Sequence, residues 1–420
     1  MSTLNLSFRS MCNRWFSSLL TVFSIALSVT LLLSIDRIRV GVKNSFEQTL
    51  SGMDLVVGPR GGSLQVLLYS VFHIGSPSNN VEWQSYEDLR SHPEVSWTIP
   101  IAMGDSHRGF PVVGTDENYF KHYKVGKKEL QFQEGRAFEN KLEAVIGSEL
   151  AKKLHYKLGQ KLVLSHGMGE ASFHHHEDSP VTIVGILSKT GSPADQTVHI
   201  HLASLEAMHE DWNGEHSHED EHHHEHAHHE HEHEESHAAI SAFLVGLKNK
   251  QGVLSFQRMV NDYADEPLTA IVPGLTFMEL WSLMSTADTA LMLVSIFVIF
   301  AGVLGMLSSL LTTLESRTRE IAVLRALGAR PRTIFVLFFS ESIFLALGGF
   351  ALGYVLVYPL LYGLEPFLVH RYGFHLSLQG NSKYDLSLLV AVVGLAFLAG
   401  LIPALKAYYR SLAHGLTLRI

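Results

Sequence analysis

Residues 289–314 read TALMLVSIFVIFAGVLGMLSSLLTTL, a run of 26 residues without a charged side chain. A helix needs roughly 20 apolar residues to cross the hydrocarbon core of a bilayer, so this stretch predicts a transmembrane helix. Three other charge-free stretches are long enough for the same role: residues 15–35, 342–364 and 386–405. We therefore expect an α-helical membrane protein with four transmembrane helices.

The first span has the features of either a retained helix or a secretory signal peptide. Arg9 and Arg14 precede it, as basic residues precede a signal peptide. Its 21 uncharged residues exceed the usual apolar region of about 7 to 15. The sequence that follows, SIDRIRVGVKN, contains no small-x-small cleavage site. We expect the segment to be retained as a membrane helix.

Lysine and arginine at the span ends predict the orientation, because they are enriched on the cytoplasmic side. Basic residues lie before span one, between spans two and three, and after span four. Both termini are therefore expected in the cytoplasm of a protein of the inner (plasma) membrane. The predicted organisation is a cytoplasmic amphipathic N-terminus (1–14), span one (15–35), an extracytoplasmic domain (36–288), span two (289–314), a cytoplasmic elbow (315–332), span three (333–364), a short outer loop (365–385), span four (386–405) and a cytoplasmic tail (406–420).

The large segment 36–288 is expected to be an α+β domain inserted between helices 1 and 2. Apolar residues at Ile35, Ile38, Val42, Phe46 and Leu50 keep a helical spacing, so span one should continue outward as a stalk. Beyond it, stretches such as MDLVVG, VSWTIPIAM, VTIVGIL and AFLVGL read as strands, and WQSYEDLRSH reads as a helix. The single cysteine, Cys12, excludes an intrachain disulfide.

The chain carries no motif for its own catalysis. GPRGGS at 58–63 lacks the spacing of a phosphate-binding loop and is better read as a turn, and no Walker sequence occurs elsewhere. No catalytic serine or cysteine arrangement is present, so we expect no catalytic residue and no enzyme activity. No basic patch with interleaved aromatic residues suggests nucleic-acid binding. Any driving energy should come from ATP bound to a partner subunit.

The elbow between spans two and three, LESRTREIAVLRALGARPRTIF at 314–335, is rich in arginine. Gly328 should end the helix that leaves span two, and Pro331 should lie in the first turn of the next helix. A basic loop at a membrane edge is the simpler interpretation, and a rigid lever into a cytoplasmic partner is the functional one. The residues assigned to ATPase coupling are Glu315, Arg317, Arg319, Glu320, Leu324, Arg325, Gly328 and Pro331.

These segments together resemble permease subunits of ABC transporters of the FtsX and MacB type, also called the mechanotransmission family. The resemblance covers essentially the whole chain and is most specific at ESRTREIAVLRALGARP. NRWFSSLLTVFSIALSV, VIGSELAKKLHYKLGQKLVL, ESIFLALGGFALGYVL and GLIPALKAYYRS also match. It implies a four-helix subunit that forms a homodimer in membrane lipid, docks a cytoplasmic ABC ATPase and moves its outer domain, with a possible periplasmic adaptor or substrate-binding protein.

A His- and acid-rich tract at 209–237 departs from that family. It holds twelve histidines and eleven acidic residues, a composition that cannot bury a core and predicts a disordered loop. Neutral imidazole and carboxylate suit zinc and similar divalent metals, whereas a solvated spacer is the simpler alternative. The candidate ligands are His216, His218, His222, His223, His224, His226, His228, His229, His231 and His233, together with His174, His175 and His176.

The sequence thus predicts a permease subunit that transmits the motion of a separate ATPase to an outer domain, with metal export or handling, of zinc in the first place, as the favoured task. Two alternatives remain open. The chain could be a regulatory scaffold that activates an outer cell-wall hydrolase. It could also serve the extraction of lipoproteins or hydrophobic molecules from the membrane.

Overall fold

The computed structural model describes residues 15–166, 180–205, 207, 240–316, 331–372, 380 and 382–413. These residues form two compact units. The helical unit contains the described residues of Met1–Val42, Ser285–His370 and His375–Ile420. The sheet unit contains those of Lys43–Met284 and Arg371–Phe374. Each unit has a hydrophobic core of its own.

The helices of the described residues are α1 (Trp15–Thr49), α2 (Ser63–Phe72), α3 (Trp83–Arg90), α4 (Asn118–His122), α5 (Ser148–Leu154), α6 (Val253–Asn261), α7 (Pro273–Ser316), α8 (Pro331–Tyr372) and α9 (Ser382–Ala413). Four of them, α1, α7, α8 and α9, are long and apolar enough to cross a membrane. They contain the four predicted spans and extend beyond them. α1 continues without a break to Thr49, so the helical spacing expected beyond span one is present, and its role as an outward stalk stays a prediction.

Small residues allow the long helices to approach one another closely. Ser28 Oγ donates a hydrogen bond to the carbonyl oxygen of Val298 on α7 at 3.2 Å, and Thr30 Oγ1 donates one to that of Gly353 on α8 at 3.1 Å. A Cβ atom at Gly353 would lie only 2.6 Å from the carbonyl oxygen of Ala26. Because a side chain does not fit there, glycine is required where α8 crosses α1.

α1 is the helix around which the helical unit packs. Half of its most apolar segment is buried within the protein, against 17% of the corresponding segment of α7. Val29 and Leu33 on α1 are completely buried. They lie in one core cluster with residues of the other long helices, among them Met306 and Val357. Any change in the position of α1 must therefore be accommodated by all three neighbours.

The sheet unit combines its short helices with thirteen strands in the described residues. These strands are β1 (Leu55–Pro59), β2 (Val95–His107), β3 (Phe110–Thr115), β4 (Lys124–Val125), β5 (Lys128–Glu129), β6 (Phe132–Gly135), β7 (Glu143–Ile146), β8 (Lys161–Leu162), β9 (Ser165–His166), β10 (Val181–Leu187), β11 (Val198–His201), β12 (Ala242–Leu247) and β13 (Leu268–Ile271). The mixture agrees with the predicted α+β domain.

Most strands form one sheet in the order β13-β1-β12-β2-β3-β11-β7-β10-β6, with β8 beside β10 and β9 beside β2. The pairs β3·β11 and β7·β10 are parallel, and the remaining pairs are antiparallel. β1 and β12 are buried along their whole length, which explains their continuous apolar sequences. β4 and β5 form a separate hairpin.

Two elements of the sheet unit were not predicted from the sequence. The last residue of GPRGGS, Ser63, begins α2, whose residues Val66, Leu67 and Val71 are buried. The hairpin of β4 and β5 is held by a two-residue turn in which Gly126 and Lys127 both have positive φ, 59° and 66°. Such a turn twists in the sense that an antiparallel pair requires.

Candidate functional site

The predicted ATPase-coupling residues lie at the ends of α7 and α8 or between them. Glu315 is in the last turn of α7, and Pro331 is the first residue of α8, as predicted from its fixed φ. The residues between, Arg317, Arg319, Glu320, Leu324, Arg325 and Gly328, lie outside the described residues. The coupling role of this elbow stays a prediction.

The predicted metal ligands, from His174 to His176 and from His216 to His233, also lie outside the described residues. Within the part of the chain that is described, no group of three His, Cys, Asp or Glu side chains could hold a metal ion. A metal site therefore remains a prediction for the tract alone.

A buried arginine on α1 contacts two other long helices of the helical unit. Arg37 is only 2% exposed, and its Nη2 lies 3.6 Å from Oδ2 of Asp385 on α9. Its Cζ lies 5.3 Å from the ring centre of Tyr354 and 5.0 Å from that of Tyr358, both on α8. A guanidinium within about 6 Å of an aromatic face is attracted by the ring. Arg37 thus joins α1 to α8 and α9.

The surroundings of this arginine leave little room for movement. The Tyr358 hydroxyl donates to the Tyr354 hydroxyl at 3.4 Å, and the two rings, one turn apart on α8, meet edge to face. A Cβ atom at Gly380 would lie 2.9 Å from both Arg37 Nη2 and Asp385 Oδ2. Gly380 therefore lies directly against the ion pair, and a side chain at this position would clash with it.

A second ion pair joins α1 to the remaining long helix. Arg39 Nε lies 3.0 Å from Asp288 Oδ2 on α7. Residues two apart in a helix point about 200° from each other, so Arg37 and Arg39 reach opposite faces of α1. The IDRIRV sequence thereby connects α1 to all three other long helices at one level. We call Arg37, Arg39, Asp288, Asp385, Tyr354 and Tyr358 the arginine clamp.

The sequence pointed only partly to the arginine clamp. Arg37 and Asp385 each lie just outside a charge-free span and were therefore assigned to the flanks of the membrane. The available signal was that the helical spacing of apolar residues continues from Ile35 to Leu50, so that both arginines fall within a helix.

The other end of α1 is tied to the β4–β5 hairpin within the sheet unit. The Gly126 amide donates to the carbonyl oxygen of Gln48 at 2.9 Å. The Ser51 hydroxyl accepts from the Lys127 amide at 2.9 Å and approaches the carbonyl oxygen of Lys124 at 3.3 Å. Phe46 packs against Phe72 of α2 and Phe277 of α7, with ring centres 4.3 and 5.6 Å apart.

Two neighbouring histidines lie in the sheet unit, His199 completely buried and His73 partly buried. His199 on β11 is completely buried, with its ring 4.7 Å from that of Tyr119. Burial, and secondly the nearby His73, lower the pKa of His199 to about 3. Burial lowers the pKa of His73 to about 4. Thr197 Oγ1 donates to the carbonyl oxygen of Pro193, so it accepts a hydrogen bond from His73 Nδ1 at 2.9 Å. Both imidazoles are thus neutral at pH 7.

Comparison with known proteins identifies two family domains in the chain. The MacB-like periplasmic core domain matches residues 18–229, which is just over half of the 420 residues. The FtsX-like permease C-terminal domain matches residues 292–412. A comparison with curated proteins gives no match.

Two solved structures are similar to the chain. The extracellular domain of the noncanonic ABC-type transporter YknZ from Gram-positive bacteria is 15% identical, with a TM-score of 0.31 over 52% of this chain and 98% of that one. The periplasmic region of MacB from Actinobacillus actinomycetemcomitans is 10% identical, with a TM-score of 0.34 over 56% and 97%. On the two domain matches, the chain belongs to the MacB- and FtsX-type family of ABC transporter permeases and is a multi-pass membrane protein.

Proposed function

We propose that this permease subunit transmits the ATP-driven motion of a separate ATPase to its extracytoplasmic sheet unit. Permeases of this family work with a cytoplasmic ATPase. The observation that carries the proposal is α1 itself, a single helix of 35 residues. At a rise of 1.5 Å per residue it is about 52 Å long, well beyond the roughly 30 Å of the hydrocarbon core.

The contacts along α1 support a mechanical role. The arginine clamp connects α1 to the other three long helices, so that a displacement of α7, α8 or α9 acts on α1 directly. Beyond the clamp, hydrogen bonds from the hairpin hold the last turn of α1 and the residues after it. A stiff helix held at both places carries motion along its axis without needing a passage for substrate.

The proposal includes an orientation and an assembly. The termini and the arginine-rich elbow lie in the cytoplasm, where the elbow meets the ATPase, and two copies of the chain form a homodimer. The weakly buried α7, with Phe297 and Phe300 largely exposed, supports such an assembly or contact with lipid. The sheet unit then acts on cargo or on an outer partner, such as an adaptor or a cell-wall hydrolase.

Reversing two charges in the elbow tests the coupling to the ATPase. In the double variant Arg319→Glu and Arg325→Glu, we expect at least about a ten-fold loss of ATPase co-purifying with the chain, because two attractions to acidic or carbonyl groups become repulsions. Arg60→Glu with Arg258→Glu, two exposed arginines of the sheet unit, is the matched control and should retain the ATPase. Normal co-purification and normal ATP turnover with the elbow variant would contradict the role.

We also propose that the histidine tract handles divalent metal, zinc in the first place, on the outer side. The density of imidazole and carboxylate in 216–237 supports several weak, overlapping sites. Deleting these residues should abolish millimolar-range zinc retention by the purified chain and leave membrane insertion and partner ATPase activity intact. A variant of unchanged length with serine in place of each histidine separates metal binding from a spacer role. Full zinc retention by either variant would exclude the proposal.

A further inference from the structure

A groove in the sheet unit lies beside the end of α1. It has a volume of about 790 Å³ and is lined by Gln48, by the hairpin and following residues 125–131, and by the loop 188–190. Its walls are polar and basic, with Lys127, Lys128 and Lys189 against the single carboxylate of Glu129. None of the residues assigned to ATPase coupling or to metal lines it.

The charges of the groove are unbalanced. Glu129 is paired with Lys124 at 3.2 Å, and Lys189 is paired with Glu149 at 3.4 Å. Lys127 and Lys128 are exposed and make no ion pair with any described residue. Lys127 and Lys128 therefore give the groove an excess of positive charge. A segment that carries carboxylates would match this charge.

The hairpin places Lys127 in its turn and Lys128 at the start of β5. Lys127 adopts a left-handed conformation with φ of 66°, which L-residues other than glycine, asparagine and aspartate rarely do. The Lys127 amide is held by Ser51, and Gly126 is held by Gln48. A two-residue hairpin turn requires this conformation at Lys127, so the turn fixes the place of the lysine beside the groove.

The hairpin also offers a strand edge along the groove. In the described residues β5 pairs only with β4, in the register Val125↔Lys128 and Lys124↔Glu129. An extended segment can lie along an unpaired strand edge, where main-chain hydrogen bonds give affinity and alternate side chains give specificity. Lys128 on this edge and Lys127 in the adjoining turn would then meet acidic side chains of the segment.

We propose that this groove is a docking site for an acidic, extended segment of an extracytoplasmic partner protein. The segment lies along β5 and pairs its carboxylates with Lys127 and Lys128. Because Gly126 is hydrogen-bonded to Gln48 in the last turn of α1 and Lys127 to Ser51 just after it, the docked segment lies next to the outer end of α1. The binding itself does not depend on ATP-driven transmission and is tested without the ATPase.

The test uses the full-length chain in nanodiscs of phosphatidylcholine. The probes are two fluorescent ten-residue peptides, one alternating Glu and Val and the other alternating Lys and Val, with fluorescence anisotropy as the readout. We expect the acidic peptide to bind and its affinity to fall about ten-fold in Lys127→Glu with Lys128→Glu. The control double variant Lys141→Glu with Lys157→Glu reverses two exposed lysines outside the groove and should bind as the wild type does.

A second variant distinguishes a loss of binding from a loss of folding. Lys127→Gly removes one charge and relieves the left-handed backbone, so the thermal midpoint should not fall while affinity for the acidic peptide falls about three-fold. Equal binding of the basic peptide, equal loss in the control variant, or unchanged affinity in both groove variants would each overturn the proposal. A groove that binds inorganic polyphosphate as tightly as the acidic peptide would also overturn it, since the site would then be a general anion site.

Discussion

Replacing Asp385 with leucine is expected to destabilise the protein by about 3 kcal/mol, near the lower end of the cost of breaking a buried ion pair. The variant leaves Arg37, which is 2% exposed, without its carboxylate partner. A guanidinium cannot escape by losing its proton. Tyr354 and Tyr358 keep part of the attraction, which places the expected cost at that lower end.

Replacing Arg37 instead of Asp385 should lower the stability by less, and replacing both residues should lower it by less again. Arg37→Leu leaves a carboxyl group that is 15% exposed and can take up a proton or reach water. In Arg37→Leu with Asp385→Leu, no charge remains buried, so we expect this double variant to be more stable than Asp385→Leu alone. The unfolding midpoint of the full-length chain in mild detergent, titrated with a denaturing detergent, measures all three.

Asp288→Leu is the matched control on the same helix bundle. Its partner Arg39 is 49% exposed and can be solvated, so the loss should stay within about 1 kcal/mol. If Asp385→Leu proved as mild as this control, or if the double variant were the least stable of the set, the arginine clamp would not hold the helices as described.

Acid is expected to destabilise the sheet unit through His199. Its folded pKa of about 3 lies below the unfolded value of about 6.5. The neutral ring therefore contributes stability that is complete above pH 6.5 and is lost as the pH falls toward 3. Between pH 7 and pH 4 the loss from this residue alone is about 3 kcal/mol, at about 1.4 kcal/mol per pKa unit.

The measurement is the difference between the wild type and His199→Leu in urea unfolding, followed by tryptophan fluorescence at pH 7 and pH 4. The ring of His199 is completely buried against the rings of Tyr119 and Phe120, so leucine should fit the site. Comparing variants cancels Asp116, whose pKa burial raises to about 6 and which changes stability in the opposite direction. If the wild type and His199→Leu lost the same stability between pH 7 and pH 4, His199 would not be the cause of the acid destabilisation.

The membrane helices and most strands could be predicted from the sequence because each depends on a local pattern. The charge-free run 289–314 lies entirely within α7, and alternating or continuous apolar stretches became β2, β10 and β12. α2 was missed, since GPRGGS suggested a turn although its last residue, Ser63, begins the ten-residue helix. Its helical form depends on burial of Val66, Leu67 and Val71 in the sheet unit.

The arginine clamp and the histidine pair could not be predicted because their members are far apart in sequence. Arg37 meets Tyr354 and Asp385 only after α1, α8 and α9 have packed. His199 and His73 lie 126 residues apart in the sequence, and only the folded sheet unit brings them near each other. The hairpin at Lys124–Glu129 likewise depends on the end of α1, more than seventy residues earlier.

Transmission along α1 is tested most directly by hydrogen–deuterium exchange in the hairpin. The measurement compares residues 124–129 in the complex of the full-length chain with its ATPase, without nucleotide and with ATP and vanadate. Wild type should show a change in hairpin exchange between the two states, and Arg37→Leu should hydrolyse ATP with that change lost. Identical hairpin exchange in both nucleotide states of an actively hydrolysing wild-type complex would contradict the proposed function.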